Sequence, residues 1–164
     1  MDQSEIFVKM GLHSWNTQIA RAEQVFNSYT EAEFYKEVAP GKNRIIYLYG
    51  HFIAYHDALK ETLGFGKRTF PELFSLFLQN ADDKDAVVPS VAKLRELWKT
   101  VHSKLQEFFD ELPIEEWFKK HNAMTDQDFE NDPTRNKLSV LLNRANHIAY
   151  HIGQIKLVKP EERS

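Results

Sequence analysis

Seven histidines and no cysteine set the chemistry open to this chain. Without thiols there is no disulfide, thiolate nucleophile, iron–sulfur cluster, c-type haem attachment or Cys-based zinc motif. Histidine carries what remains, and the segment Asn146-His147-Ile148-Ala149-Tyr150-His151-Ile152-Gly153-Gln154 holds two of the seven. His147 and His151 are four residues apart, so on a helix they project about 40° apart on one face. At that spacing two imidazoles can hold one metal ion. On the same wheel Ile155, Ile148, Leu141 and Ile152 lie about 80–140° round from His147, at 3.6 residues per turn. The pair flanks the apolar stripe, with Val140 and Val158 nearly in line with it. Imidazoles aimed at the margin of a core would line a partly enclosed pocket open to solvent.

A second segment, Tyr47-Leu48-Tyr49-Gly50-His51-Phe52-Ile53-Ala54-Tyr55-His56-Asp57, offers a third ligand. His51 shares a helix face with Leu48, Phe52, Tyr55 and Leu59, whereas His56 lies about 140° further round. The two do not readily face one ion, so at most one of them is a ligand. Three neutral imidazoles from two helices leave a zinc-like divalent ion with an incomplete shell and room for water or substrate. That openness marks a chemical site rather than a structural one. Gly50 and Gly153 stand beside these histidines, each costing a helix about 1 kcal/mol against alanine. They fit either a close approach at the site or plain tolerated glycine. Tyr47, Tyr55, Tyr150, Asp57 and Gln154 are near enough to support the histidines or move protons. Taken singly, the tyrosines read as packing, Asp57 as a solvated charge and Gln154 as a helix-packing amide. His13, His102 and His121 have no partner at metal spacing. His121 is expected in solvent and His102 at the edge of the core, and His13 lies on a first helix that could face the pocket.

Six prolines, at 40, 71, 89, 113, 133 and 160, divide the chain, and the long stretches between them carry helical periodicity. The first helix is expected from about Ser4 to Ser28, with Ile6, Met10, Ile19, Ala22 and Phe26 inward. Thr30-Glu31-Ala32-Glu33 reads as a capping box for a short helix ending before Pro40-Gly41. Asn43 would cap the second helix, which reaches Leu63 before Gly64-Phe65-Gly66. Residues 64–89 form a long crossing connection with a helical piece after Pro71. Ser90 caps the third helix, carrying Val91, Leu94, Leu97, Trp98, Val101, Leu105 and Phe108. After an irregular stretch over 112–132, Asp132-Pro133 opens the fourth, which runs to about Val158. Four helices of about 20 residues, joined by three links, make an all-α four-helix bundle.

A length of 164 residues suggests a single domain over 1–164, large enough to fold without a metal or disulfide. Its 21 Lys+Arg against 24 Asp+Glu leave a net charge of −3, which does not suit a protein that contacts many phosphates. Nucleic acid is therefore not expected as a partner. The longest apolar stretch, Ile45 to Tyr55, is far short of a membrane span. Met1-Asp2-Gln3-Ser4-Glu5 lacks the features of a signal peptide, so no membrane partner and a cytoplasmic location are expected. There is no Glu-x-x-His, His-Glu-x-x-His, Walker A loop or Gly-x-Gly-x-x-Gly.

Gly50-His51 in the second helix, followed near the C-terminus by His147-x-x-x-His151-x-Gly153-Gln154, resembles the DinB-like superfamily of small metal-binding four-helix bundles. The resemblance spans nearly the whole chain, including the short Thr30-to-Val38 helix that ends at Pro40-Gly41. It implies His51, His147 and His151 as the ligands of a divalent metal. Zinc is the conservative expectation, with nickel, manganese or iron as alternatives. It also implies an up-up-down-down bundle with a long crossover between helices 2 and 3, and a homodimer, for which Trp15, Phe34, Tyr35 or Trp117 could supply an apolar patch. Similar members include bacterial transferases and isomerases that use low-molecular-weight thiols, so the implied partner is a small molecule, plausibly a thiol. A metal-dependent hydrolase and a non-catalytic metal- or stress-responsive or dimerisation bundle are the alternatives.

Overall fold

The computed structural model describes residues 2–161. Every regular element among them is helical, and the only β pairing is two isolated bridges, Glu37 with Arg44 and Lys120 with Asn136. The long helices are α1 (Gln3–Ser28), α2 (Ile45–Asp57), α5 (Val91–Glu111) and α7 (Lys137–Ile155). Short α3 (Leu59–Leu63) prolongs α2, α4 (Glu72–Phe74) lies in the connection to α5, and α6 (Asp126–Asn131) precedes α7. No helix among the described residues is long and apolar enough to cross a membrane.

Each long helix starts where a polar group can take up a free N–H group. Asp2 accepts from Ser4 N at 2.7 Å, Ser90 from Lys93 N at 3.2 Å and Asn136 from Ser139 N at 3.0 Å. The second helix departs from expectation, because its N-cap is Arg44 rather than Asn43 and no side chain of its own caps it. Asp82, from the distant connection, instead accepts from Arg44 N at 2.7 Å and grips the Arg44 guanidinium. The fourth long helix opens at Lys137, not at Asp132-Pro133. Asp132-Pro133 instead opens a turn closed by Arg135 N donating to Asp132 O, after which Asn136 bridges Lys120 and Lys137 N donates to Lys119 O before the Asn136 cap starts the helix. The Thr30–Glu33 box forms by half: Glu33 accepts from Thr30 N, but the turn that follows is a single 3₁₀ turn over Ala32–Tyr35. Helix α6 was not expected, although Thr125 and Asp128 form a complete capping box there.

Contacts between the helices correct the expected up-up-down-down order. Trp15 meets His56 and Phe26 meets Tyr49, so α1 and α2 run antiparallel. Tyr49 meets Trp98 and His56 meets His102, so α2 and α5 run parallel. Gly11 lies against Leu138, and the Tyr29 hydroxyl reaches Ile155 O, so α1 and α7 are also parallel. The order is up-down-down-up. The reason lies in the first link: α1 is about 39 Å long at 1.5 Å per residue, and residues 29–44 do not travel back along it. They fold locally, burying Phe34 against Phe26 and Tyr49 and closing a turn through Val38 N to Asn43 O. The long crossover stands, since parallel α2 and α5 require the intervening chain to return the length of the bundle.

Helices α5 and α7 bury one face and α2 is buried on nearly all sides, while α1 follows the expected register in its second half, at Ala22 and Phe26, and departs from it in the first. Val8, Gly11, Trp15, Ala22 and Phe26 face inward, while Ile6 and Met10 are exposed. Trp15, Phe34 and Trp117 are buried core residues, which removes them from any subunit patch; of the four aromatics considered, Tyr35 alone is exposed.

Candidate metal centre

The site lies between α2 and α7, where antiparallel packing brings His51 opposite His147 and His151. His147 Nε2 sits 3.2 Å from His51 Nε2 and 3.1 Å from His151 Nε2. One ligand atom from each of the three lies within 4.8 Å of the other two, the only such group of three among the described residues. The chain brings together all three residues that the sequence named, and all are partly buried. A cavity of about 200 Å³ opens on them, lined also by Asn43, Tyr47 and Leu48.

Neighbours fix where two of the rings carry their protons. Phe77 O lies 2.8 Å from His51 Nδ1; a carbonyl only accepts, so the proton is on Nδ1 and Nε2 is a lone pair. His151 Nδ1 likewise donates to Gln154 Oε1 at 2.7 Å, and the Gln154 amide is oriented in turn by its Nε2 donating to Tyr150 Oη. Both Nε2 lone pairs then face His147, which when neutral has one proton to share between them. Desolvation holds all three imidazoles below their usual range. The neighbouring His151, His51 and Arg144 deepen the effect at His147, which is pushed down to about 3. The rings are therefore neutral at pH 7. Nitrogens about 2.0–2.1 Å from a tetrahedral zinc lie roughly 3.4 Å apart, close to the separations here. The donor set fits a borderline-soft divalent ion.

Tyr47, Tyr55, Tyr150 and Gln154 lie at the triad as expected, while other polar groups are engaged elsewhere. His56 is buried in the core with its Nδ1 2.9 Å from His102 Nε2 and is not among the three clustered ligand atoms, so His51 is the α2 member of the cluster. His102 is held by Trp98 O, whereas His13 is exposed and His121 lies in the loop before α6, where it accepts from Ala123 N. Asp57 is not a solvated charge: it is buried and accepts from Thr69 N and Phe70 N. Tyr47 donates to Asn80 O, which ties the crossover to α2. Tyr55 packs its ring against His147 at 4.7 Å and His51 at 5.6 Å, with the Arg144 guanidinium 3.3 Å above it.

Two supporting features lay outside the sequence reading. The Phe77 carbonyl belongs to a π turn over Ser75–Gln79 in the crossover. It reaches His51 because Gly50 has no side chain, and a methyl there would overlap the Phe77 ring. The glycine beside His51 was the available signal. Arg144 is the other feature, one helical turn from His147.

A sequence profile of the DinB superfamily matches residues 14–155, a span containing all three histidines. No curated protein matches the chain.

Proposed function

The chain belongs to the DinB superfamily, and on that premise we propose that it is a divalent-metal-dependent transferase acting on a low-molecular-weight thiol, with His51, His147 and His151 as ligands. The observation that carries this reading is the convergence of three Nε2 atoms, two with their protons locked on the far side of the ring. A cation is the partner that such a set calls for. Zinc is the expected ion, with nickel, manganese or iron as alternatives. When bound, a divalent ion on neutral ligands keeps its full charge and favours the deprotonated form of a thiol or water.

The protein's own part is to shape and hold the site. Phe77 O and Gln154 Oε1 keep two imidazoles aimed at one point, so little reorganisation accompanies binding. Tyr47 and Leu48 wall the cavity, and Asn43 offers an amide to a polar substrate. Among the described residues no carboxylate lines it: Asp57 is committed to Thr69 and Phe70, and Asp82 to Arg44. That favours thiol transfer over hydrolysis, which asks for a general base beside the water, whereas a thiolate is itself the nucleophile. The chain has no cysteine, so the substrate brings the sulfur. A homodimer remains part of the proposal, with Tyr35 available to it.

The test is zinc-loaded protein incubated with small thiols and an activated aryl halide, with thioether formation followed by chromatography. The expected rate exceeds that with free zinc and falls on the order of 10²-fold in His147→Ala, the scale for losing one group that stabilises charge at the reacting centre. Equal rates for both would overturn the transferase reading. Bound metal without turnover would leave a non-catalytic metal-binding bundle.

A further inference from the structure

Among the described residues, three buried side-chain atoms have no hydrogen-bond partner: His147 Nδ1, Arg144 Nε and His56 Nε2. They belong to neighbouring side chains. Tyr55, adjacent to His56 in sequence, lies against the His147 ring and beneath Arg144. Phe52 links the other side, its ring stacked on His56 at 5.8 Å and edge-on to His147 at 6.1 Å. Unpaired buried polar atoms are rare in folded proteins, and three in one region call for a common explanation.

Their proton assignments follow from fixed neighbours. Trp98 O accepts from His102 Nδ1 at 2.8 Å, which leaves His102 Nε2 as a lone pair. That lone pair lies 2.9 Å from His56 Nδ1, so His56 carries its proton there and presents Nε2 as an acceptor. Arg144 Nε–H is a donor. His147, with Nε2 turned to an ion, carries its one proton on Nδ1 and is a second donor. Two donors and one acceptor are the set that a single water completes, accepting twice and donating once.

We propose that one internal water joins His147 Nδ1–H, Arg144 Nε–H and His56 Nε2, and that His56, backed by His102 and the Trp98 carbonyl, is a positioning residue for the ligand His147. The proposal rests on the metal-site reading above. It supplies what that reading otherwise lacks: metal-ligating histidines nearly always donate their second ring N–H, and only His51 and His151 do so directly to protein groups. It also gives a role to an arginine whose partner is Tyr55 rather than a carboxylate. His56, five residues beyond His51, supports the site from within the core instead of joining the ligands.

The experiment measures zinc affinity by chelator competition in wild type, His56→Phe, His56→Gln and Arg144→Met, with folding checked by circular dichroism. A high-resolution crystal structure of the zinc-loaded wild type accompanies it. The expected result is a water bonded to all three atoms and 10–100-fold weaker zinc binding in His56→Phe, the usual effect of losing such a support. His56→Gln, which restores an acceptor, should recover most of the affinity, and Arg144→Met should lose part of it. Unchanged affinity in folded His56→Phe would overturn the proposal, as would a crystal structure with His147 Nδ1 bonded elsewhere. If His56→Phe does not fold, a wild-type affinity in Arg144→Met together with no such water overturns it. A wild type that binds no zinc contradicts the metal reading itself; the water, present or absent in the metal-free crystal, then decides the relay.

Discussion

A methyl group added at Gly50 would overlap the Phe77 ring, while the same addition at Gly153 would meet nothing within 4 Å. The two glycines look alike in the sequence, and the fold separates them. Gly50 lets the crossover come close enough for Phe77 O to orient His51; Gly153 is a tolerated helix glycine. Gly50→Ala is therefore expected to cost about 1–3 kcal/mol through overpacking and to weaken metal binding by displacing the His51 acceptor. Gly153→Ala is expected to stabilise α7 by roughly 0.5–1 kcal/mol with metal affinity unchanged. Urea unfolding and a zinc titration of both variants check this; equal effects from the two would remove Gly50 from the site. Gln154 makes a related point. Its spacing from His151 was visible in the sequence, but only the fold shows its carbonyl oxygen on His151 Nδ1.

At the scale of the elements, the crossover does more than connect. It supplies Phe77 O to His51, Asn80 O to Tyr47 and Asp82 to the start of α2. Arg44 and Asp82 are both nearly inaccessible, at 8% and 7% side-chain exposure, so truncating one strands the other. Asp82→Ala should cost about 3–5 kcal/mol, the usual range for breaking a buried pair, and should loosen the Phe77 contact as well. Urea midpoints paired with zinc affinity test it, and an effect on neither would show that the crossover does not set the α2 start. Much of this level was legible in sequence. Proline spacing, the Ser90 cap and Gly64 mark helices that the fold contains, and His147-x-x-x-His151 lies on the helix it suggested. What could not be read depends on distant backbone. A carbonyl acceptor such as Phe77 O has no side-chain signature. Pro133 looked like a helix opening because the Lys119–Lys137 hydrogen bond that delays α7 joins residues far apart in the pattern. Helix direction escaped for the same reason, since it depends on how Phe34 anchors the first link.

For the whole molecule, the buried imidazoles tie stability to pH. Burial pushes His102 down to about 4 and His56 well below its usual value, while in the unfolded chain each titrates near 6.5. Both are neutral in the fold, so below pH 6.5 the unfolded state binds more protons. Their contribution is fully present above about 6.5 and is lost as pH falls through about 4. For His102 alone this is on the order of 3 kcal/mol. The three site imidazoles, depressed in the same direction, add to the trend in metal-free protein. Urea midpoints of chelator-treated protein should therefore fall steadily between pH 7 and 4.5. A flat profile would mean that the rings are not neutral and buried as described.

The proposed site holds one ion on three imidazoles from two antiparallel helices. Elemental analysis of purified, zinc-reconstituted protein beside the combined variant His51→Ala, His147→Ala, His151→Ala tests it most directly. About one divalent ion per chain is expected in wild type and none in the folded variant, the stoichiometry of a single three-histidine site. Equal metal in the two, or none in either, would contradict it.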